Sequence, residues 1–149
     1  MKKINLILAN ELSSIAFGEE LAKKLLAPLV LTFSGEIGAG KTTLIRALLT
    51  ALGVKPPIKS PTFSLVESYQ CNLIELHHFD LYRINDSAEL EFIGFRDYFH
   101  NNSICFIEWP KRAPNMIHKV DLKFTITVNP AGRLLHIEAT SAVGEKIFW

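Results

Sequence analysis

Short apolar runs alternate with helix-period stripes along this chain, and their order outlines the fold. Lys3 to Leu8 predicts a first strand, and Asn10 stands where a helix N-cap belongs. Leu12, Ile15, Ala16, Ala22, Leu25 and Leu26 then recur at helical spacing until Pro28 stops the helix. Leu29-Val30-Leu31-Thr32-Phe33 is a compact apolar run, which predicts a strand covered on both faces. Gly35 to Gly40 follow it directly. Lys41 to Leu52 then carries Leu44, Ile45, Leu48, Leu49 and Leu52 on one broad face, with Gly53 as its C-terminal cap.

The second half reads mostly as strands. Pro56-Pro57 and Ser60-Pro61 stiffen a loop, and Ser64 to Tyr69 with Leu73 to Asp80 predict a hairpin around Gln70-Cys71-Asn72. Asp86 and Glu89 form a capping-box-like start for a short helix that Gly94 ends, followed by a helical piece from Phe95 to Phe99. Ile104-Cys105-Phe106-Ile107 predicts another interior strand, ending in Glu108. Leu122, Phe124, Ile126 and Val128 alternate with polar residues before a Pro130-Ala131-Gly132 turn, so the chain is expected to close as an antiparallel hairpin.

Composition narrows the picture. A length of 149 residues suits one domain, 1–149, and leaves no room for a separate substrate domain. Sixteen basic residues against fifteen acidic give a net charge of +1, without the broad positive field of a direct nucleic-acid binder. Cys71 and Cys105 lie far apart in strand-like runs, which fits a reducing, cytoplasmic setting. Met1-Lys2-Lys3 before an apolar stretch has the look of a leader, but Asn5 interrupts that stretch and Asn10-Glu11 end it, and no run approaches the roughly 20 residues that span a bilayer. A soluble protein with no membrane association is expected.

The candidate chemistry lies at Gly35-Glu36-Ile37-Gly38-Ala39-Gly40-Lys41-Thr42, a P-loop pattern placed between a buried strand and an amphipathic helix. Glycines there let backbone N–H groups turn onto phosphate oxygens, and the helix adds its positive end. The expected cradle runs through Ile37, Gly38, Ala39, Gly40, Lys41, Thr42 and Thr43, with Lys41 on the β- and γ-phosphates and the Thr42 hydroxyl on Mg²⁺. A P-loop also needs a carboxylate at the end of a neighbouring strand. Glu108, after a fully apolar run, is expected to be the magnesium ligand rather than a surface carboxylate. Asp80 follows a more polar stretch and reads either as a water-positioning group or as a partner for Arg83. His77-His78 and the three other histidines lack the spacing and companions of a metal site, and His118-Lys119-Val120-Asp121 reads as a strand entry, not as a guanine-reading motif.

The P-loop, Ser60-Pro61-Thr62-Phe63, His78-Phe79-Asp80-Leu81-Tyr82-Arg83 and Glu108-Trp109-Pro110 occur in the order and spacing of one family. Across most of its length the chain resembles the TsaE family, P-loop ATPases of bacterial tRNA threonylcarbamoyladenosine synthesis. That resemblance implies an α/β, P-loop NTPase-like three-layer fold with a mixed, partly antiparallel sheet. It also implies ATP/ADP and Mg²⁺ binding and docking on a TsaD–TsaB heterodimer, with tRNA reached only through that complex. Thr62 would sit in a switch-like loop and sense the γ-phosphate, and Trp109 would pack on that switch or on the partner, or serve as plain core. Glu11, Lys111 and Arg133 are implied to line the nucleotide. The catalytic set would be Lys41, Thr62, Asp80 and Glu108, with Thr42 and Glu108 on the metal.

Two other classes share this cradle: a P-loop small-molecule kinase, and a nucleotide-sensing module without significant turnover. The kinase reading lacks an arginine-rich lid or a second substrate-binding segment. Because the guanine-reading motif is missing, ATP and ADP are expected to bind much more tightly than GTP. Calorimetry with both nucleotides measures this, and equal affinity would sink the adenine assignment.

Overall fold

The computed structural model describes Lys2 to Phe148; Met1, where the leader-like stretch begins, and Trp149 lie outside the described residues. Strands β1 (Lys3–Leu8), β2 (Leu29–Ser34), β3 (Val66–Cys71), β4 (Ile74–Asp80), β5 (Ser103–Glu108), β6 (Leu122–Asn129) and β7 (Gly132–Ala139) form one sheet in the order β1-β7-β6-β2-β5-β4-β3. β2 runs parallel to β5 and β6, and β4 runs parallel to β5. The outer pairs β1/β7, β6/β7 and β3/β4 are antiparallel, so the sheet is mixed.

Two apolar clusters sandwich this sheet. Leu31 and Phe33 of β2 and Ile104 and Phe106 of β5 pack with Leu21, Leu44, Ile45 and Leu48 from helices α1 (Glu11–Ala22) and α2 (Lys41–Ala51). Val30, Cys105 and Ile107 face the other side, joining Phe79, Leu90 and Phe95 under helix α3 (Ala88–Phe92) and the 3-10 turn Phe95–Tyr98. Neighbouring residues of β2 and β5 therefore feed opposite clusters, which is why these strands read as unbroken apolar runs. Phe33 stacks on Phe124 at 4.8 Å between centroids, tying β2 to β6.

Several expectations need correction. α1 begins as predicted, with the Asn10 side chain accepting from Ser13 N–H at 2.9 Å, but it ends at Ala22, well before Pro28. Leu12 and Leu26 are exposed, because Gly18, Leu21 and Ala22 make the buried face of the helix. β3 and β4 turn over Asn72-Leu73, where Asn72 takes a left-handed φ of 57°. The chain does not close on its last hairpin: a further helix, α4 (Ala142–Phe148), follows, and Ile147 joins the core. The β6/β7 hairpin is also covered on its outer edge by β1, a pairing of the two ends of the chain that local pattern does not reveal. Among the described residues no helix is long and apolar enough to cross a membrane.

The capping-box-like start forms just before α3: Glu89 Oε2 accepts from Asn85 and Asp86 N–H, and Asp86 Oδ1 accepts from Ala88 N–H. His118 to Asp121 is a strand entry, and Asp121 is its anchor. Its buried carboxylate accepts Val30 N–H at 2.9 Å and the Ser141 hydroxyl at 2.6 Å, clamping the start of β2 to α4. Asp121→Ala leaves the buried Val30 N–H without a partner and is expected to cost about 1–3 kcal/mol of folding stability. Urea denaturation measures this, and an unchanged midpoint would overturn the anchoring role.

Candidate nucleotide site

The P-loop joins the C-terminal end of β2 to the N-terminus of α2, so backbone N–H groups and the helix dipole converge on one point. Gly38 has φ +79°, and a Cβ built there meets nothing within 4 Å, so its backbone borders open space. Two clefts flank this cradle. One, of 380 Å³, is lined among others by Ile37, Lys41, Thr42, Thr62, Asp80 and Glu108. The other, of 240 Å³, lies on the far side of Gly38-Ala39-Gly40 and brings in Glu11, Thr43 and Arg133.

Register explains the first cleft. Phe33 of β2 pairs with Glu108 of β5, and Glu108 pairs with Asp80 of β4, so both carboxylates stand at the C-terminal ends of adjacent parallel strands beside the loop. Asp80, although it follows a more polar stretch in the predicted hairpin, is thus part of the interior, because β4 lies between β5 and β3 with His77 and His78 buried. Thr42 Oγ1 donates to Glu108, 3.1 Å from each carboxylate oxygen. Glu108 is 2% exposed, and its Oε2 lies 2.6 Å from His78 Nε2. A carboxylate only accepts, so His78 donates and fixes the orientation of Glu108. His78 Nδ1 has no hydrogen-bond partner among the described residues. The sequence places His78 only in the strand leading to Asp80; a spacing of two residues, which puts both side chains on one face of β4, is the available signal.

Lys41 is 4% exposed, with Nζ donating to the Gly35 and Glu36 carbonyls at 2.6 and 2.8 Å and lying 4.4 Å from the centroid of the Trp109 ring. Burial lowers its pKa, while Glu108 and Asp80 pull it back up. Trp109 has φ 59° and ψ 51°, a left-handed conformation that costs a non-glycine residue about 1–2 kcal/mol. Its indole reaches both Lys41 and Tyr82, whose ring centroid is 4.9 Å away, so it is a wall of the site and not plain core.

Thr62 Oγ1 is 3.4 Å from Asp80 Oδ2 and 2.8 Å from Ser60 Oγ, placing the Ser60 to Phe63 loop over the cleft. Asp80 Oδ1 accepts Tyr82 N–H at 3.1 Å, and no Asp80–Arg83 ion pair occurs among the described residues. Arg83 lines the same cleft but lays its guanidinium over the exposed Phe63 ring at 4.3 Å.

On the other side Arg133 Nε donates to Ala39 O at 2.8 Å, bracing the cradle from β7. Gly132 makes this possible: at φ +131°, a Cβ there would sit 2.3 Å from Leu8 O. Lys111 differs from the other expected residues. It is exposed on the 3-10 turn Pro110–Arg112 and lines neither cleft. Away from both clefts, Glu75, His77 and His100 bring ligand atoms within 4.8 Å of one another, companions that spacing along the sequence does not reveal.

A seven-stranded mixed sheet between helical layers, with the glycine-rich loop between β2 and α2, defines an α/β protein of the P-loop NTPase-like class. Residues 8–135 match the family described as "Threonylcarbamoyl adenosine biosynthesis protein TsaE", and the chain belongs to that family. It is 36% identical over 152 residues to the tRNA threonylcarbamoyladenosine biosynthesis protein TsaE of Haemophilus influenzae, covering 99% of this chain and 96% of that one. The proteins of the same name from Aquifex aeolicus and Bacillus subtilis are 41% and 40% identical, covering 71% and 65% of this chain and 76% and 60% of theirs. The crystal structure of Bacillus subtilis YdiB superposes with a TM-score of 0.80, covering 98% of this chain and 91% of that one; at 24% identity this likeness concerns the fold.

Burial raises the Asp80 carboxyl above its ordinary range, the Tyr82 N–H opposes that rise, and the charge of Glu108 adds to it. A raised folded-state pKa means that this group favours the folded state below its unfolded pKa, and that the benefit is lost as pH rises through the folded value. Asp80→Asn is therefore expected to be more stable than the parent at neutral pH, with the difference fading as pH falls below the carboxylate range. Urea titrations across pH measure it, and a variant no more stable at pH 7 would contradict the assigned cause.

Proposed function

We propose that the chain binds ATP and ADP with Mg²⁺ and hydrolyses ATP as a nucleotide switch acting on a TsaD–TsaB heterodimer in tRNA threonylcarbamoyladenosine synthesis. The observation that carries the reading is the joint placement of Lys41, Thr42, Glu108, Asp80 and Thr62 around one cleft beside the phosphate cradle. Oxygen donors of Thr42 and Glu108 already meet at 3.1 Å, a hard-oxygen set suited to Mg²⁺. A magnesium ion held by Thr42 and Glu108 would supply positive charge against the phosphate oxygens.

The chain's own residues supply the rest. Lys41 exchanges its carbonyl partners for phosphate oxygens, and the loop's N–H groups hold the remaining ones. His78 keeps Glu108 turned toward Thr42. Asp80, with its raised affinity for a proton, accepts from the attacking water, and the Thr62 hydroxyl beside it registers the γ-phosphate. Glu11 and Arg133 border the cleft on the nucleoside side.

Partner dependence follows from what the cleft lacks. Among the described residues Arg83 is the one arginine lining the phosphate-side cleft, and it is engaged with Phe63. Phe63 is 81% and Ile37 71% exposed at the same mouth, apolar surface that suits a docking protein. The isolated chain is expected to release phosphate slowly, and the cognate heterodimer to accelerate it by up to about 10³–10⁵ through a charge in trans or by ordering the Thr62 loop. Lys41→Ala and Glu108→Gln are expected to abolish the stimulated rate. Steady-state phosphate release with and without the heterodimer decides between readings: full activity alone points to a self-sufficient hydrolase or kinase, and nucleotide binding with no release in either case points to a sensor.

A further inference from the structure

A second group of chemically competent side chains lies on the opposite face of the sheet. His78 points to the P-loop side, so its neighbour His77 points the other way, where its ring meets Tyr98 edge-on at 4.8 Å. Glu75 stands two residues before it on β4, at the far end of the strand from Asp80, about 17 Å away at strand rise. His100, from the turn that precedes β5, completes the group. Glu75 Oε1 lies 3.1 Å from His77 Nε2 and 3.0 Å from His100 Nε2.

We propose that Glu75, His77 and His100 form a binding site for a divalent transition-metal ion of the zinc class, separate from the nucleotide site. Two imidazoles and one carboxylate are a recurrent zinc ligand set, and three protein ligands leave an open coordination position. Tetrahedral bonds of 2.0–2.1 Å place ligand atoms roughly 3.3 Å apart, close to the two separations seen here. Ser68 Oγ, 2.7 Å from His77 Nδ1, supplies the outer contact that orients a metal-binding histidine. Glu75 and His100 keep 42% and 36% of their side chains exposed, so an ion reaches the site from solvent.

With metal on Nε2, each ring proton moves to Nδ1. His77 then donates to Ser68 Oγ, while His100 gives up the bond it accepts from Asn102 N–H at 3.2 Å.

The test is calorimetric titration of Zn²⁺ into the chelator-stripped full chain, in magnesium buffer without nucleotide. One ion per chain is expected, with Glu75→Gln and His100→Ala each weakening it more than about tenfold and Ser68→Ala weakening it about 10–100-fold. Histidine ring NMR on the parent protein gives a readout independent of any variant's folding: His77 and His100 are expected to shift on titration, and His78, His118 and His136 to stay in place. Absence of binding, binding undiminished in both ligand variants, or shifts confined to the other three histidines would each overturn the site.

Discussion

Parallel pairing of β2, β5 and β4 is the constraint on which the rest depends. It aligns Phe33, Glu108 and Asp80 in one row across three strands, so the loop leaving β2 emerges beside two carboxylates. Hydrogen-bonded strands are about 4.8 Å apart, and that spacing sets the scale on which cation, hydroxyl and carboxylate meet. A register slip of one residue would send Glu108 to the α3 face and bring Ile107 to the cradle. The two apolar clusters prevent this, because each slipped strand would present its wrong side chains to both.

How much of this was legible in the sequence depended on the range of the interaction. The P-loop, the N-cap at Asn10 and the capping box at α3 are local, and their residues announce them. β2 and β5 were legible because burial on both faces leaves a continuous apolar run. The interior position of β4 was not: His77 and His78 make it read as polar, yet both are buried, each with a hydrogen-bond partner on its own side of the sheet. α4 carries no clear signal because it is only seven residues long and Gly144, Glu145 and Lys146 interrupt its apolar positions. Pairing of β1 with β7 joins segments at opposite ends of the chain, beyond the reach of any local pattern.

Within the site the same division holds. Lys41, Thr42 and Glu108 could be named from motif and strand end, and they converge as expected. Glu11 and Arg133 came only from family resemblance, and the β1/β7 pairing explains their proximity by setting Leu8 opposite Arg133. Lys111, named on the same basis, stays outside both clefts. Glu75 and His100 had no signal as a pair, since the loop that brings them together lies between separate strands.

The placement of Lys41 has a consequence for how an anion enters. A lysine this close to two carboxylates would ordinarily pair with one of them, and breaking a buried ion pair costs about 3–5 kcal/mol. Here the ammonium is held instead by two backbone carbonyls and an indole face, uncharged partners, each charge-assisted hydrogen bond being worth about 1.5–3 kcal/mol net. The resting cleft is therefore not short-circuited by its own charges. A phosphate bound there as proposed would replace uncharged acceptors and would not have to break an ion pair first, although every charged group is already in place.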